Sequence, residues 1–150
     1  MTMALTSAAF APGGVIPKRH TGEGANVSPA LSWTGLPKGT RELALICDDP
    51  DAPTPKPWVH WVLYGIPTSL AGLKEGHSRA GLEGPNDSGG VGYTGPMPPN
   101  GHGVHRYFFR LYALDATLNN APGWSKERLL AEIEGHVLET AELMGTYERK

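Results

Sequence analysis

The chain has 150 residues, with 13 Lys and Arg against 15 Asp and Glu and a formal charge of −2. A sequence pI of about 6.3 leaves no general attraction for phosphate backbones, which argues against nucleic-acid binding by bulk charge. Cys47 is alone, so no intrachain disulfide forms, and no apolar run approaches a membrane span. The first 17 residues carry no Lys or Arg, and Thr2, Thr6 and Ser7 interrupt the apolar stretch, so no secretion signal is read there. The expectation is one domain over residues 1–150, in the cytoplasm. Gly 20 and Pro 14 are a high share, but 39% apolar residues and near-neutral charge fit a loop-rich fold better than disorder.

Turn signals at Ala11–Gly14, Gly22–Asn26, Gly35–Gly39 and Gly65–Ser69 cut the chain into short apolar runs. Leu43–Cys47 is apolar on both faces, as a central strand covered on two sides must be. Trp58–Ile66 reads as the next strand, and a period of two puts His60 beside Trp58, Val62 and Tyr64. The segment from Gly72 to His102 has little periodicity, and loops of that length in a small domain tend to be functional. Arg106–Leu114 is a third long strand. After Ser125, a candidate N-cap, apolar residues at Leu129, Leu130, Ile133, Val137, Leu138 and Ala141 recur at spacings of three and four. That predicts a helix ending near Gly145, with Gly135 costing about 1 kcal/mol and bending or splitting it. Nothing helical separates the early strands, so the fold is mainly β with a C-terminal helical element, not an alternating α/β chain.

Two clusters can carry chemistry. Asp48-Asp49-Pro50-Asp51-Ala52-Pro53 closes the first central strand on a turn stiffened by proline, and His60 follows in the next strand. Gly95-Pro96-Met97-Pro98-Pro99-Asn100-Gly101-His102-Gly103 then leads into a strand in which His105 and Tyr107 share one face and Arg106 takes the other. Two imidazoles, a phenol and a carboxylate suit an anion pocket: His and Tyr donate, and Asp49 holds an imidazole or shares its proton. Asp51 in such a turn has the alternative of simply bonding nearby backbone. His20, His77, His102 and His136 lack clustered partners and read as structural or solvated.

The same groups allow other chemistry. His60 and Asp49 could act as base and orienter in a hydrolase or lyase, although no GxSxG nucleophile motif accompanies them. His60, His105 and one Asp make up a two-His-one-carboxylate set, but their spacing matches no metal signature. No Walker-type loop is present, and no nucleotide or other cofactor is called for.

The run Leu43-Ala44-Leu45-Ile46-Cys47-Asp48-Asp49-Pro50-Asp51-Ala52-Pro53, then Trp58-Val59-His60-Trp61-Val62, then Gly95-Pro96 through His105-Arg106-Tyr107-Phe108-Phe109 resembles the phosphatidylethanolamine-binding protein family, also called the Raf kinase inhibitor protein family. Asn26-Val27-Ser28-Pro29-Ala30-Leu31-Ser32-Trp33 and Glu142-Leu143-Met144-Gly145-Thr146-Tyr147 extend the likeness over the whole chain, in the manner of the bacterial and archaeal branch. The resemblance implies a β-sandwich-like fold with a large central sheet and a small pocket for phosphate-type anions. On matching positions that pocket comprises Asp49, Asp51, Pro53, His60, Pro99, His105 and Tyr107; Arg106 matches too, but its opposite facing suggests a structural ion pair and not a ligand contact. It implies a non-enzymatic binder of a phosphorylated headgroup or similar anion. Such a binder is open to a protein target as inhibitor or regulator of a kinase or other enzyme, and to a homodimeric state. Two positions depart from the pattern. Thr54 replaces the commoner Ser, Asn or Gly, and Asp48 adds a carboxylate beside the pocket whose like charge is expected to weaken anion binding.

Overall fold

A computed structural model describes residues 2–76 and 80–150; His77 lies outside them. Elements follow in the order β1 (Ala4–Thr6), β2 (Leu31–Thr34), β3 (Glu42–Asp49), β4 (Trp58–Ile66), β5 (Gly72–Leu73), β6 (Leu82–Glu83), β7 (His105–Leu114), α1 (Lys126–Ile133) and β8 (Val137–Tyr147). The architecture is mainly β, as the turn-punctuated sequence predicts. Two antiparallel sheets form, one of order β1-β2-β5 and a larger one of order β6-β4-β3-β7-β8.

The larger sheet is covered on both faces, which is why β3 is apolar throughout. Leu43, Leu45 and Cys47 point toward the small sheet and pack with Leu5, Leu31, Trp33, Trp61, Phe109 and Leu143. Ala44 and Ile46 point the other way and meet Val62, Tyr64, Trp124, Leu129 and Ile133, with Tyr64 stacked on Trp124 at 5.0 Å. Burial of both faces supplies the main driving force for β3 as the central strand.

The C-terminal helix is shorter than its apolar spacing predicts. Ser125 does cap α1, its side chain accepting from the Arg128 backbone, but the helix stops at Ile133. Gly135 has φ of +82°, a left-handed conformation that terminates helices and that glycine adopts without steric cost. The rest of the predicted helix is β8, which pairs with β7 from Val137 opposite Leu114 to Tyr147 opposite His105. Ala141, Leu143 and Tyr147 are buried at a period of two, while Leu130, Val137 and Leu138 of the apparent helical stripe remain partly exposed. Long-range pairing with β7 outweighs local helical preference.

A second local departure matters more for the site. Cys47 pairs with Trp61 but Asp48 pairs with Val59, so His60 is the extra residue of a β-bulge. The bulge breaks the period of two. His60 stays with Trp58 but is turned away from Val62 and Tyr64, toward Tyr107 of β7, whose ring centroid lies 5.2 Å away.

Candidate ligand-binding site

Asp49, Trp58, His60, His105 and Tyr107 meet at one end of the large sheet, around a cavity of about 350 Å³. The loop after β3 adds Ala52, Pro53 and Thr54, and the long loop between β6 and β7 adds Ser88, Gly95, Met97, Pro98 and Pro99. Of the seven residues the sequence singles out, Asp49, Pro53, His60, Pro99, His105 and Tyr107 line this cavity.

Asp51 does not. Its carboxylate accepts from the Arg106 backbone N–H and from Arg106 Nε and Nη2, each at 2.9 Å, on the outside of the sheet end. The Arg106 guanidinium holds the Asp51 carboxyl below its ordinary range, with partial burial opposing it. Asp51 therefore clips the β3–β4 loop to β7, and Arg106 is the structural partner its facing suggested.

Asp48 is likewise directed away from the cavity. It sits on the α1 side of the sheet, where Lys126 Nζ donates to it at 2.7 Å and Arg110 Nη1 at 3.3 Å. Strand alternation separates it from Asp49, so the expected like-charge effect on a bound anion has no direct geometric basis.

Asp49 is the organising carboxylate. Its Oδ1 accepts from the Asp51 backbone N–H at 2.7 Å, and its Oδ2 lies 2.7 Å from His105 Nδ1. A carboxylate at neutral pH only accepts, so His105 Nδ1 carries the proton. The other nitrogen of His105, Nε2, is 2.7 Å from Nδ1 of His102. A chain Asp49–His105–His102 thus runs from the buried strand end to an exposed loop residue. His102, read as unpartnered from sequence, belongs to it; its position three residues before His105 was the available signal. The base-and-orienter pair of His60 with Asp49 does not form, because Asp49 is committed to His105.

His60 is held differently. Nδ1 lies 2.7 Å from the carbonyl oxygen of Thr94, and the Thr94 N–H donates back to the His60 carbonyl at 2.9 Å. A carbonyl cannot donate, so Nδ1 carries the proton and the neutral ring offers a bare Nε2. That atom has no protein partner among the described residues and keeps contact with the cavity. Burial pushes the His60 pKa down, while the Thr94 bond and the Asp49 charge pull partly the other way. Tyr107 is buried among the same strands, and its hydroxyl likewise has no protein partner among the described residues. Burial first, then Asp49, pushes its phenol pKa far up, so the hydroxyl stays protonated and can donate.

The loop that carries Thr94 is fixed from behind. Asn26, itself at φ of 58°, accepts the Gly95 N–H at 2.7 Å. A Cβ on Gly95 would lie 2.0 Å from the His20 carbonyl oxygen, so only glycine lets this loop close against the Lys18–His20 turn. His20 is a buried structural residue, its Nδ1 bonded to the Val27 carbonyl, and His136 is an exposed partner of Asp115. Among the described residues no three His, Cys, Asp or Glu side chains converge as a metal site. His105 in particular has both nitrogens engaged.

Two packed sheets with a proline-walled pocket at the strand ends, centred on a carboxylate–histidine pair, define a β-rich binding fold. A family model for phosphatidylethanolamine-binding protein matches residues 6–148, and the chain belongs to that family. A UPF0098 protein of Methanothermobacter thermautotrophicus is 54% identical, covering 98% of this chain and 99% of its own length. The crystal structure of a phosphatidylethanolamine-binding protein homologue from Chlamydia trachomatis superposes with a TM-score of 0.94 at 41% identity, over 99% of both chains. E. coli YbcL, described as a new member of the mammalian family, gives a TM-score of 0.92 at 30% identity over the full length of both. No helix among the described residues is long and apolar enough to cross a membrane.

Proposed function

We propose that this protein is a binding protein, not an enzyme, whose pocket takes a small oxyanion of the phosphate type. The observation that carries the reading is the convergence of the Tyr107 hydroxyl, His60 Nε2 and the His105 ring on one cavity with Pro53, Pro98 and Pro99 in its walls. Tyr107 supplies a fixed donor where burial makes a hydrogen bond strong. The Asp49 charge is directed into bonds with Asp51 and His105, and one proton on the His105–His102 pair would neutralise it. The rigid walls keep the ordering cost of binding low.

Binding is favoured over hydrolysis for a geometric reason. A base of the carboxylate–histidine type needs a free nitrogen backed by the carboxylate, and His105, which has the carboxylate, has Nε2 capped by His102, while His60, whose Nε2 is free, is backed only by the Thr94 carbonyl. The reading places the protein in the cytoplasm, where a lone buried thiol such as Cys47 stays reduced. The homodimer implied by the bacterial branch is read directly by light scattering.

Calorimetric titration of inorganic phosphate into wild type and Tyr107→Phe tests the site. Loss of the donor should weaken binding by roughly 10-fold or more. A phosphoester turnover assay separates the classes: sustained release of product that His105→Ala abolishes would replace binding with catalysis.

A further inference from the structure

Resting on the oxyanion reading, we propose that His60 makes the pocket selective for a tetrahedral oxyanion that carries its own proton, such as hydrogen phosphate, over one that carries none. The Thr94 carbonyl accepts a hydrogen bond from His60 Nδ1 at 2.7 Å, and the Thr94 N–H donates to the His60 carbonyl at 2.9 Å. This double clamp fixes both the ring and its tautomer. What His60 shows the cavity is a lone pair on Nε2.

A lone pair repels a bare oxyanion oxygen and accepts from a P–O–H group. Sulfate and hydrogen phosphate have the same shape and, near pH 8, the same charge, but only hydrogen phosphate brings a proton. Sulfate can be accommodated only by first protonating a buried imidazole. The groups that bear on that step are Asp49 from β3 and Tyr107 and His105 from β7. Asp87 from the loop after β6 adds its charge, its carboxylate accepting from the Val59 N–H at 2.7 Å, as does Asp48 from the far face of β3. Tyr107 contributes a neutral hydroxyl, and Asp49 is already bonded to His105. Burial opposes the charged imidazole more than these carboxylates favour it. Leaving the polar atoms of a buried site mismatched is how proteins reject a near-isosteric ligand strongly.

The same logic sorts sources of phosphate. A phosphomonoester loses its last proton near pH 6 and so offers a P–O–H only at or below that pH. A phosphodiester offers none. The pocket therefore suits hydrogen phosphate or a monoester monoanion and disfavours a diester headgroup.

The test is a set of calorimetric titrations on the full chain at pH 8, with inorganic phosphate, sulfate, methyl phosphate and dimethyl phosphate. The expected result is phosphate binding at least about 10-fold tighter than sulfate or dimethyl phosphate, the factor that one hydrogen bond to a charged group supplies. Methyl phosphate should behave like sulfate at pH 8 and approach or exceed phosphate at pH 6; exceeding it marks a monoester as the natural source. In His60→Gln, whose amide can donate, the preference for phosphate over sulfate should collapse toward parity. If that variant fails to fold, nitrogen NMR of histidine-labelled wild type still decides, because a proton on His60 Nε2 in the free protein overturns the proposal. Measurable and equal affinity for phosphate and sulfate overturns it while leaving the oxyanion reading intact. Binding of no anion at all overturns that reading and this inference with it.

Discussion

Asp49 Oδ2 and His105 Nδ1 are 2.7 Å apart, and both side chains are almost wholly buried where β3 and β7 run side by side. The pair joins the two clusters that the sequence marks out separately. With the second oxygen of Asp49 held by the Asp51 N–H, the carboxylate has a donor on each side and the His105 tautomer is fixed.

Asp49→Asn should therefore destabilise the protein by about 1–3 kcal/mol, because the amide nitrogen must face a donor at one of its two bonds. Urea denaturation measures the loss. A neutral result would mean that His105 has adopted the other tautomer without cost.

Gly135→Ala separates two readings of the C-terminal region by sign. In a continuous helix the substitution would stabilise by about 1 kcal/mol. At φ of +82° it should instead destabilise by about 1–2 kcal/mol, as denaturation midpoints will register.

Asp48→Asn and Asp51→Asn should leave phosphate affinity nearly unchanged. Asp48 holds Lys126 and Arg110 on the opposite face, and Asp51 holds Arg106 outside the cavity. The expected cost is in stability, about 1–3 kcal/mol for the buried Asp48 and about 1 kcal/mol for the more exposed Asp51. Paired calorimetry and denaturation check both halves.

The fold should lose stability through His60 as pH falls below about 6.5, the imidazole pKa of an unfolded chain. Burial lowers the folded pKa of His60, so between the two values the unfolded state binds more protons and stability rises with pH. The contribution is complete above pH 6.5 and shrinks on acidification. Comparing denaturation at pH 7.5 and 5.5 in wild type and in His60→Gln, which cannot titrate, isolates it.

The residues differ in how far their roles can be read from sequence. β3, β4 and β7 are legible because their apolar composition reports burial on both faces, and proline-stiffened strand ends mark Asp49, His105 and Tyr107. The bulge that turns His60 toward Tyr107 is not legible, since it arises from a register shift against β3 that no local pattern encodes. β8 is misread as helix because Leu129, Ile133, Val137 and Ala141 mimic a helical stripe, while the decisive term is pairing with a strand some thirty residues earlier. Asp51 and His102 exchange roles for a similar reason. The Asp51–Arg106 and His102–His105 contacts form only once the loop after β3 and the loop before β7 are folded against the end of the sheet.

The most direct test of the central claim is a crystal structure grown with inorganic phosphate. The account predicts one tetrahedral anion in the cavity, an oxygen within hydrogen-bond reach of Tyr107 Oη and another within reach of His60 Nε2, with Asp49 still bonded to His105. An anion bound elsewhere, with the cavity at the strand ends holding only water at saturating phosphate, would contradict it.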